Sequence, residues 1–419
     1  MEQRLIDAFR KHLIPKIPAI ILVFLVAFGL WMILDSEFIP LESQPFPDTQ
    51  SYSSQARQIA DGNGFVIDFD ERISSAKNLV GAKDTYPSRY PPGYSIFLAP
   101  FVIVFGDSGI EVGVKVAVFA MFLVAILIAK RLSGFLAASI VALAIVSSPF
   151  LRKSSTLVMS DAFGALLCLL AVLTVIELTR REPGETKTRN LSISLGMICG
   201  FAMISRISLI FIFAAALLVF TKRGNLSWIV LGFVPFALFL GVLQHLQFGS
   251  PFRTGYSYYV HGYVEFSLSH LTQPNPYGER DFLFPDWSNG KLMTWTCPCD
   301  ENGPIGKAPN IVFYPATLAG LYWIFMPPLF GVLGFIKLFI TRTSLTYRFM
   351  AAVIALNTLM MFVYFFQGAR LVAPSALILV ICGSIASADL VLRIIRRTER
   401  RTTQDLPTRK TVRLTSGVQ

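Results

Sequence analysis

Apolar runs of about twenty residues recur along this chain from residue 17 to residue 392. A bilayer core about 30 Å thick is crossed by about 20 helical residues, each rising about 1.5 Å. Only 15% of the residues are charged, whereas soluble domains carry about 25%, so these runs belong in lipid. We therefore predict an all-α polytopic membrane protein with about ten transmembrane helices, near residues 17–38, 109–129, 134–151, 157–179, 191–206, 207–221, 227–247, 323–341, 347–366 and 371–392.

One short apolar segment, from Pro91 to Gly106, decides the topology. Two prolines open the segment and Pro100 interrupts it, so we interpret it as lying along the membrane interface. As a full span it would put Lys130 and Arg131 on the same side as the long first loop. The positive-inside rule argues against that arrangement.

The resulting topology divides the chain into a cytoplasmic N-terminus (1–16), a transmembrane domain (17–392) and a basic cytoplasmic tail (393–419). Two long loops, about 39–108 and 248–322, face the extracytoplasmic side. A site is expected there because most other connections are short. The net charge of +11 comes from basic clusters beside apolar runs, where they contact lipid headgroups. The sequence carries no nucleic-acid motif.

Two carboxylates lie where they could carry chemistry near the outer surface. Asp48 follows the first span by about ten residues and could act as a general base, or it could cap the helix predicted at 49–61. Asp161 lies at the outer end of the fourth span, where an ionisable group usually has a partner or a role. Capping of that span by Ser160 or Asp161 is the alternative.

Several cations map to the same outer face. Arg206 and Arg370 interrupt apolar sequence at helix ends, Arg152 follows the third span, and Lys115 lies just inside the second. Snorkelling to headgroups explains any one of them. Together they break the positive-inside pattern, which favours a shared phosphate as their partner.

An ordered set of motifs covers about residues 17–395. It consists of Asp48 with Tyr52 and an ADGNG turn, then YPPGYSIFLAPFVIVFG, MSDAFGALL, GFAMISR, HLQFGSPFRTGYSYY and ARLVAPSALILV. This set resembles the GT-C superfamily of polyprenyl-phosphate-sugar glycosyltransferases, and is most similar to the protein-mannosyltransferase and aminoarabinose-transferase branch. The resemblance implies a GT-C-like transmembrane fold whose first outer loop carries juxtamembrane helices, YPPGY among them.

The resemblance also implies roles for individual residues. Asp48 matches the general base, Arg206 and Arg370 match arginines near the carrier phosphate, and Asp161 matches an acidic position of less defined role. Phe248–Tyr259 resembles a stretch of bacterial relatives, which favours a contribution to the cavity. The expected phosphate-binding set is Arg206, Arg370, Lys115 and Arg152, and the expected acceptor or sugar pocket is Asp161, Tyr52, Arg89, Tyr90, Tyr94 and Tyr256.

Three departures limit what the resemblance implies. Arg89 and Tyr90 stand where the aminoarabinose branch has a Glu, so its particular sugar is not expected here. Leu371 stands where many relatives have Tyr. Thr49 follows Asp48, so the sequence does not support a paired-acid metal site, and no cofactor is expected.

These features predict an inverting glycosyltransferase in a bacterial plasma membrane. Its donor is a polyprenyl-phosphate sugar, and its acceptor is a hydroxyl of a glycan, lipid or protein. A transporter or flippase of a lipid-linked sugar is the alternative, and it predicts ionisable residues near mid-membrane and repeated halves. Cys297 and Cys299 are interpreted as two loop thiols or an intermolecular bridge.

Overall fold

The computed structural model describes residues 16–44, 47–68, 85–182, 186–221, 224–259, 266–272, 309–320, 324–327, 329–364 and 368–404. In chain order its helices are α1 (Ile17–Asp35), α2 (Pro47–Ala60), α3 (Gly93–Phe105), α4 (Ser108–Ser133), α5 (Phe135–Val146), α6 (Pro149–Thr156), α7 (Ser160–Thr179), α8 (Thr186–Ser205), α9 (Ile210–Phe220), α10 (Leu226–Phe248), α11 (Gly255–Tyr259), α12 (Ser269–Thr272), α13 (Asn310–Ala319), α14 (Phe330–Ile340), α15 (Leu345–Phe362) and α16 (Ala373–Gln404). Two short strands, β1 (Val66–Asp68) and β2 (Thr85–Pro87), pair antiparallel with Val66 opposite Pro87.

Within these ranges, six helices are long and apolar enough to cross a membrane: α1, α4, α7, α10, α15 and the stretch Arg370–Thr398 that contains most of α16. Helices α5 and α6 form a seventh candidate, bent by 60°. The bend lies just before Pro149, which opens α6 at a position that needs no amide donor. The structure therefore supports an integral membrane protein but not the predicted number of ten spans. Helices α8, α9 and α14 occupy the other three predicted segments.

Burial separates a central helix from peripheral ones. In α7, 72% of the most apolar 18-residue stretch is buried inside the protein, against 17% in α1. Phe24 and Leu246 illustrate the outer surface, where apolar side chains are 70% and 76% exposed. A helix that is apolar on all sides belongs inside a bundle or in lipid, so α7 forms the core and α1 and α10 face the hydrocarbon.

The two ends of the bundle carry different charges. Helix α7 begins beside the end of α8 and the start of α16; we call this the site end. At the opposite end, Arg131 on α4 and Arg180 after α7 both approach Glu177, at 3.8 and 3.6 Å. Arg131 and Arg180 therefore lie at the same end of the bundle.

The first outer loop packs over the site end. The Thr49 hydroxyl on α2 donates to the carbonyl of Val158, 3.2 Å away, in the turn before α7. Ser95 on α3 donates to the carbonyl of Tyr52 at 3.0 Å. Gly93 lies so close to the end of α8 that a Cβ there would be 2.6 Å from the backbone nitrogen of Ser205. These contacts hold α2 and α3 directly above the helix ends.

Helix α3 is only 13 residues long, about 20 Å at the usual helical rise, which is shorter than the hydrocarbon core. Its last turn exposes Ile103 (68%) and Val104 (70%). The segment is too short to cross the hydrocarbon core as a single helix, and its placement along the interface stays a prediction.

Candidate active site

Asp161 lies in the first turn of α7 and is almost fully buried, with 4% of its side chain exposed. It does not cap the helix, because Met159 occupies the N-cap position and no side chain makes a capping hydrogen bond there. Its two carboxylate oxygens instead bind the guanidinium groups of Arg206 and Arg370, and the Arg370 Nη1–Oδ2 distance is 3.4 Å.

The two arginines are positioned by breaks in their helices. Arg206 is in extended backbone immediately after α8 and before a 3₁₀ turn at Ile207–Leu209. Arg370 lies in a 3₁₀ turn, Ala369–Val372, that leads into α16. Both breaks place a cation at the site end rather than within a span, where its desolvation would cost more.

Asp48 completes the cluster from the first outer loop. Helix α2 begins at Pro47, so Asp48 lies in its first turn. The Tyr90 hydroxyl donates a 2.8 Å hydrogen bond to Asp48 Oδ1, and Arg370 Nη2 lies 3.7 Å from Oδ2. Arg370 therefore bridges Asp48 and Asp161, and we call these three residues, together with Arg206, the charge cluster.

Aromatic rings surround Asp48. The Tyr52 ring lies 5.1 Å from that of Tyr90 and 5.2 Å, edge-on, from that of Tyr94. The Tyr52 hydroxyl donates to Ser160 Oγ at 3.2 Å. Burial raises the pKa of Tyr52 above its ordinary value, and the negative charge of Asp48 raises it further. Tyr52 is therefore a neutral hydrogen-bond donor at the site.

Three adjoining cavities open around the charge cluster. The base cavity is lined by Asp48, Tyr52, Tyr90, Ser160, Arg206 and Tyr364. The arginine cavity combines Asp161, Arg206 and Arg370 with apolar walls from Leu209, Phe211 and Pro374. The amide cavity is lined by Gln55, Gln244, Gln247, Ser88, Arg89 and Thr254.

The predicted site residues do not all meet. Lys115 does not join the charge cluster: its ammonium group donates to the carbonyls of Leu34 and Ser36 at the end of α1, and it pairs with Glu111 at 2.7 Å. Terminal helix carbonyls lack intrahelical donors, so Lys115 satisfies them. Arg152 is exposed on α6.

The remaining predicted pocket residues occupy distinct positions. Tyr94 is buried beneath Tyr52 among aromatic rings, and Arg89 lines the amide cavity. The backbone of α11 carries Tyr256, whose side chain falls outside the described residues, as do Cys297 and Cys299. In the described part of the chain, no three His, Cys, Asp or Glu side chains are grouped to hold a metal ion.

Sequence reasoning missed the amide cavity, and it considered Ser160 only as a helix cap and not as a residue of the site. Gln244 and Gln247 stand in the last two turns of the apolar helix α10, three residues apart, and so share one face. Two amides on one face at the end of an apolar helix could have indicated a polar site there. Gln55 on α2 offered no such signal, because most residues of that helix are polar.

No family model matches this chain, and no curated protein does. Several solved structures are similar to this chain. ArnT from Cupriavidus metallidurans, bound to undecaprenyl phosphate, superposes with a TM-score of 0.55 at 12% identity, covering 91% of this chain and 63% of ArnT. The archaeal oligosaccharyltransferase AglB from Archaeoglobus fulgidus, in complex with an inhibitory peptide and a dolichol-phosphate, gives a TM-score of 0.51 at 13% identity.

The AglB comparison covers 94% of this chain and 52% of AglB. An oligosaccharyltransferase from Archaeoglobus fulgidus in complex with Zn and sulfate gives a TM-score of 0.54 at 12% identity, over 92% of this chain and 51% of that protein. The chain thus spans less than two thirds of the length of these proteins. Both ArnT and AglB are GT-C glycosyltransferases, and the described part of this chain shares their fold.

Proposed function

We propose that this protein is a glycosyltransferase that moves a sugar from a polyprenyl-phosphate carrier to an acceptor hydroxyl. The observation that carries the proposal is the charge cluster, in which Asp48 and two arginines meet at one end of a membrane bundle. The structures most useful for comparison contain undecaprenyl phosphate or dolichol-phosphate, which supports a lipid phosphate as the donor.

Arg206 and Arg370 would hold the carrier phosphate. A guanidinium group has five N–H donors, so Asp161 can orient both arginines and still leave donors for an anion. Arg206 lines both the base cavity and the arginine cavity. Apolar walls beside the cations suit a phosphate that arrives on a prenyl chain. Two fixed cations would stabilise the negative charge that the departing phosphate gains in the transition state.

Asp48 would serve as the general base. Its carboxylate accepts the proton of the acceptor hydroxyl while that oxygen forms a bond to the anomeric carbon. The bond from the anomeric carbon to the phosphate oxygen breaks, and its electron pair leaves with the phosphate. A single displacement of this kind inverts the anomeric centre. Tyr90 fixes the orientation of the carboxylate through its 2.8 Å hydrogen bond.

The placement of the charges favours transfer over transport. Asp161, Arg206 and Arg370 all lie at helix ends, whereas a transporter site is expected near the bilayer midplane. The basic residues at the opposite end, including Arg131 and Arg180, support a cytoplasmic location for that end. The charge cluster would then face the extracytoplasmic side, as proposed for a bacterial plasma membrane.

The test is turnover by the purified full-length protein. A panel of radiolabelled polyprenyl-phosphate sugars is supplied together with membrane extract as a source of acceptors, and transfer of label is measured. We expect Asp48→Asn to lower transfer by at least about 100-fold, the lower range for loss of a general base. Asp61→Asn, an exposed aspartate of the same loop, is the matched control and keeps wild-type turnover.

Wild-type turnover by Asp48→Asn would remove Asp48 from the mechanism. Absence of label transfer or release from every donor in the panel, with the protein folded, would refute a polyprenyl-phosphate-dependent transferase.

A further inference from the structure

The amide cavity contains a buried polar atom that lacks a hydrogen-bond partner in the part of the chain that the structure describes. Gln55 is 1% exposed, and its carbonyl oxygen has no hydrogen-bond partner among the described residues. Its amide nitrogen makes only a long contact, 3.4 Å, with the carbonyl of Phe65. A buried acceptor without a donor costs free energy, so this oxygen is suited to a donor brought by a ligand.

The cavity around Gln55 offers several polar groups at once. Gln244, on α10, is 8% exposed. Gln247 is held by a 2.7 Å hydrogen bond from its amide nitrogen to Phe65. Each side-chain amide has both donors and acceptors, which match the dual character of a hydroxyl group. Among the described residues that line the cavity, Arg89 is the only charged one.

The lining residues that the cavities share show how the three cavities are arranged in space. The base cavity shares Arg206 and Ser160 with the arginine cavity. It shares Tyr90 and Ile207 with the amide cavity. The arginine and amide cavities have no lining residue in common. The base cavity with Asp48 therefore lies between them, with the cations on one side and the amides on the other.

This order matches the geometry of a single displacement, in which nucleophile and leaving group occupy opposite sides of the anomeric carbon. We infer that the amide cavity is the acceptor site and that its acceptor is a carbohydrate. This inference rests on the proposed function, since it takes the arginine cavity as the site of the carrier phosphate. A carbohydrate presents several neighbouring hydroxyls to the amides of Gln55, Gln244 and Gln247, whereas a serine or threonine side chain presents one.

Close backbone packing keeps the cavity narrow. A Cβ on Gly255 would lie 2.6 Å from the Cα and the carbonyl oxygen of Arg89. The start of α11 therefore lies directly against the segment that carries Tyr90 and Pro91. Thr254 and Gly255 form one wall of the cavity, and Leu240 and Leu243 of α10 form an apolar wall for a sugar ring.

The first experiment measures binding without any donor. Saturation-transfer NMR is recorded on the full-length protein in a sugar-free detergent, because glycoside detergents would compete. The probes are methyl β-D-glucopyranoside, methyl α-D-mannopyranoside and an N-acetyl-threonine amide. We expect at least one glycoside to bind and the threonine derivative not to bind.

Two variants on different helices test the contacts. Gln55→Met and Gln244→Met each keep the side-chain volume but remove the amide, and each should weaken glycoside binding about tenfold, the effect of losing one hydrogen bond. Gln58→Met is the matched control on α2. Both ends of the Gln58 amide are already satisfied, by Asp68 at 2.6 Å and Asn63 at 2.9 Å, so glycoside binding should not change.

Unchanged glycoside affinity in Gln55→Met and Gln244→Met would overturn the assignment, as would binding of the threonine derivative alone. Once a donor is identified by release of its label, the same glycosides are offered as acceptors, and Gln55→Met should raise their KM about tenfold. If glycosides bind as expected but no donor in the panel is consumed, the carbohydrate site stands and the proposed transfer is refuted.

Discussion

Asp161 should contribute far more to stability than an exposed aspartate that forms an equally close ion pair. Removing one partner of a buried ion pair leaves an uncompensated charge and costs about 3–5 kcal/mol. The side chains of Asp161 and Arg370 are 4% and 13% exposed, and that of Arg206 is 22% exposed. Asp161→Asn retains an oxygen acceptor, so we expect the lower value, about 3 kcal/mol, or about a 100-fold change in the unfolding equilibrium.

The matched control is Asp107→Asn. Asp107 lies 2.8 Å from Arg57, within hydrogen-bond distance as Asp161 is of Arg206, but the side chain of Asp107 is 83% exposed. Water screens such a pair, and exposed pairs contribute about 0–1 kcal/mol. If hydrogen-bond distance decided the strength, the two substitutions would be about equally damaging; if burial decides it, Asp161→Asn is the more damaging change.

The assay is unfolding of the detergent-solubilised protein by titration with SDS, followed by tryptophan fluorescence. We expect the free energy of unfolding to fall by about 3 kcal/mol for Asp161→Asn and by less than about 1 kcal/mol for Asp107→Asn. Equal losses in the two variants would refute the conclusion that Asp161 holds two buried cations in place.

Two further predictions concern packing and pH. Gly93→Ala should lower the thermal unfolding temperature and the transfer rate, because the added methyl would overlap the backbone nitrogen of Ser205, 2.6 Å from an ideal Cβ. Gly224→Ala, where no atom lies within 4 Å of a Cβ, should change neither, and equal effects of the two substitutions would contradict the close approach of α3 to α8. The pKa of Tyr52 is higher in the folded protein than in the unfolded chain. The stability that this difference contributes is fully present below the unfolded pKa of about 10, and it is lost as the pH rises above that value. Tyr52→Phe should therefore reduce the slope of unfolding temperature against pH between about pH 9 and 11, measured by intrinsic fluorescence, and an unchanged slope would show that Tyr52 does not titrate differently on folding.

The helices of this protein were largely determined by local sequence. Transfer of a peptide segment into lipid depends on its own apolar content and length, so α1, α4, α7, α10 and α15 could be predicted from the runs alone. The break between α5 and α6 was not predicted. The apolar content is continuous there, and only the local geometry at Ser148 and Pro149 ends one helix and starts the next.

The residues of the candidate site could be predicted only in part from the sequence. Residue type and position at helix ends identified Asp48, Asp161, Arg206 and Arg370 as candidates, because charged groups near lipid require a partner. The same reasoning selected Lys115, which instead satisfies the carbonyls at the end of α1. Local sequence does not distinguish Arg206 and Arg370 from Lys115, since each is a cation beside an apolar run.

Tertiary packing decided which of the charges meet. Asp161 and Arg370 are 209 residues apart in sequence, and Asp48 reaches them only because α2 docks on the turn before α7. The amides of Gln55 and Gln244 come together on one cavity in the same way. Such contacts depend on the shapes of helix surfaces that are distant in the chain, whereas the free energy that places a helix in the membrane is set by the helix itself.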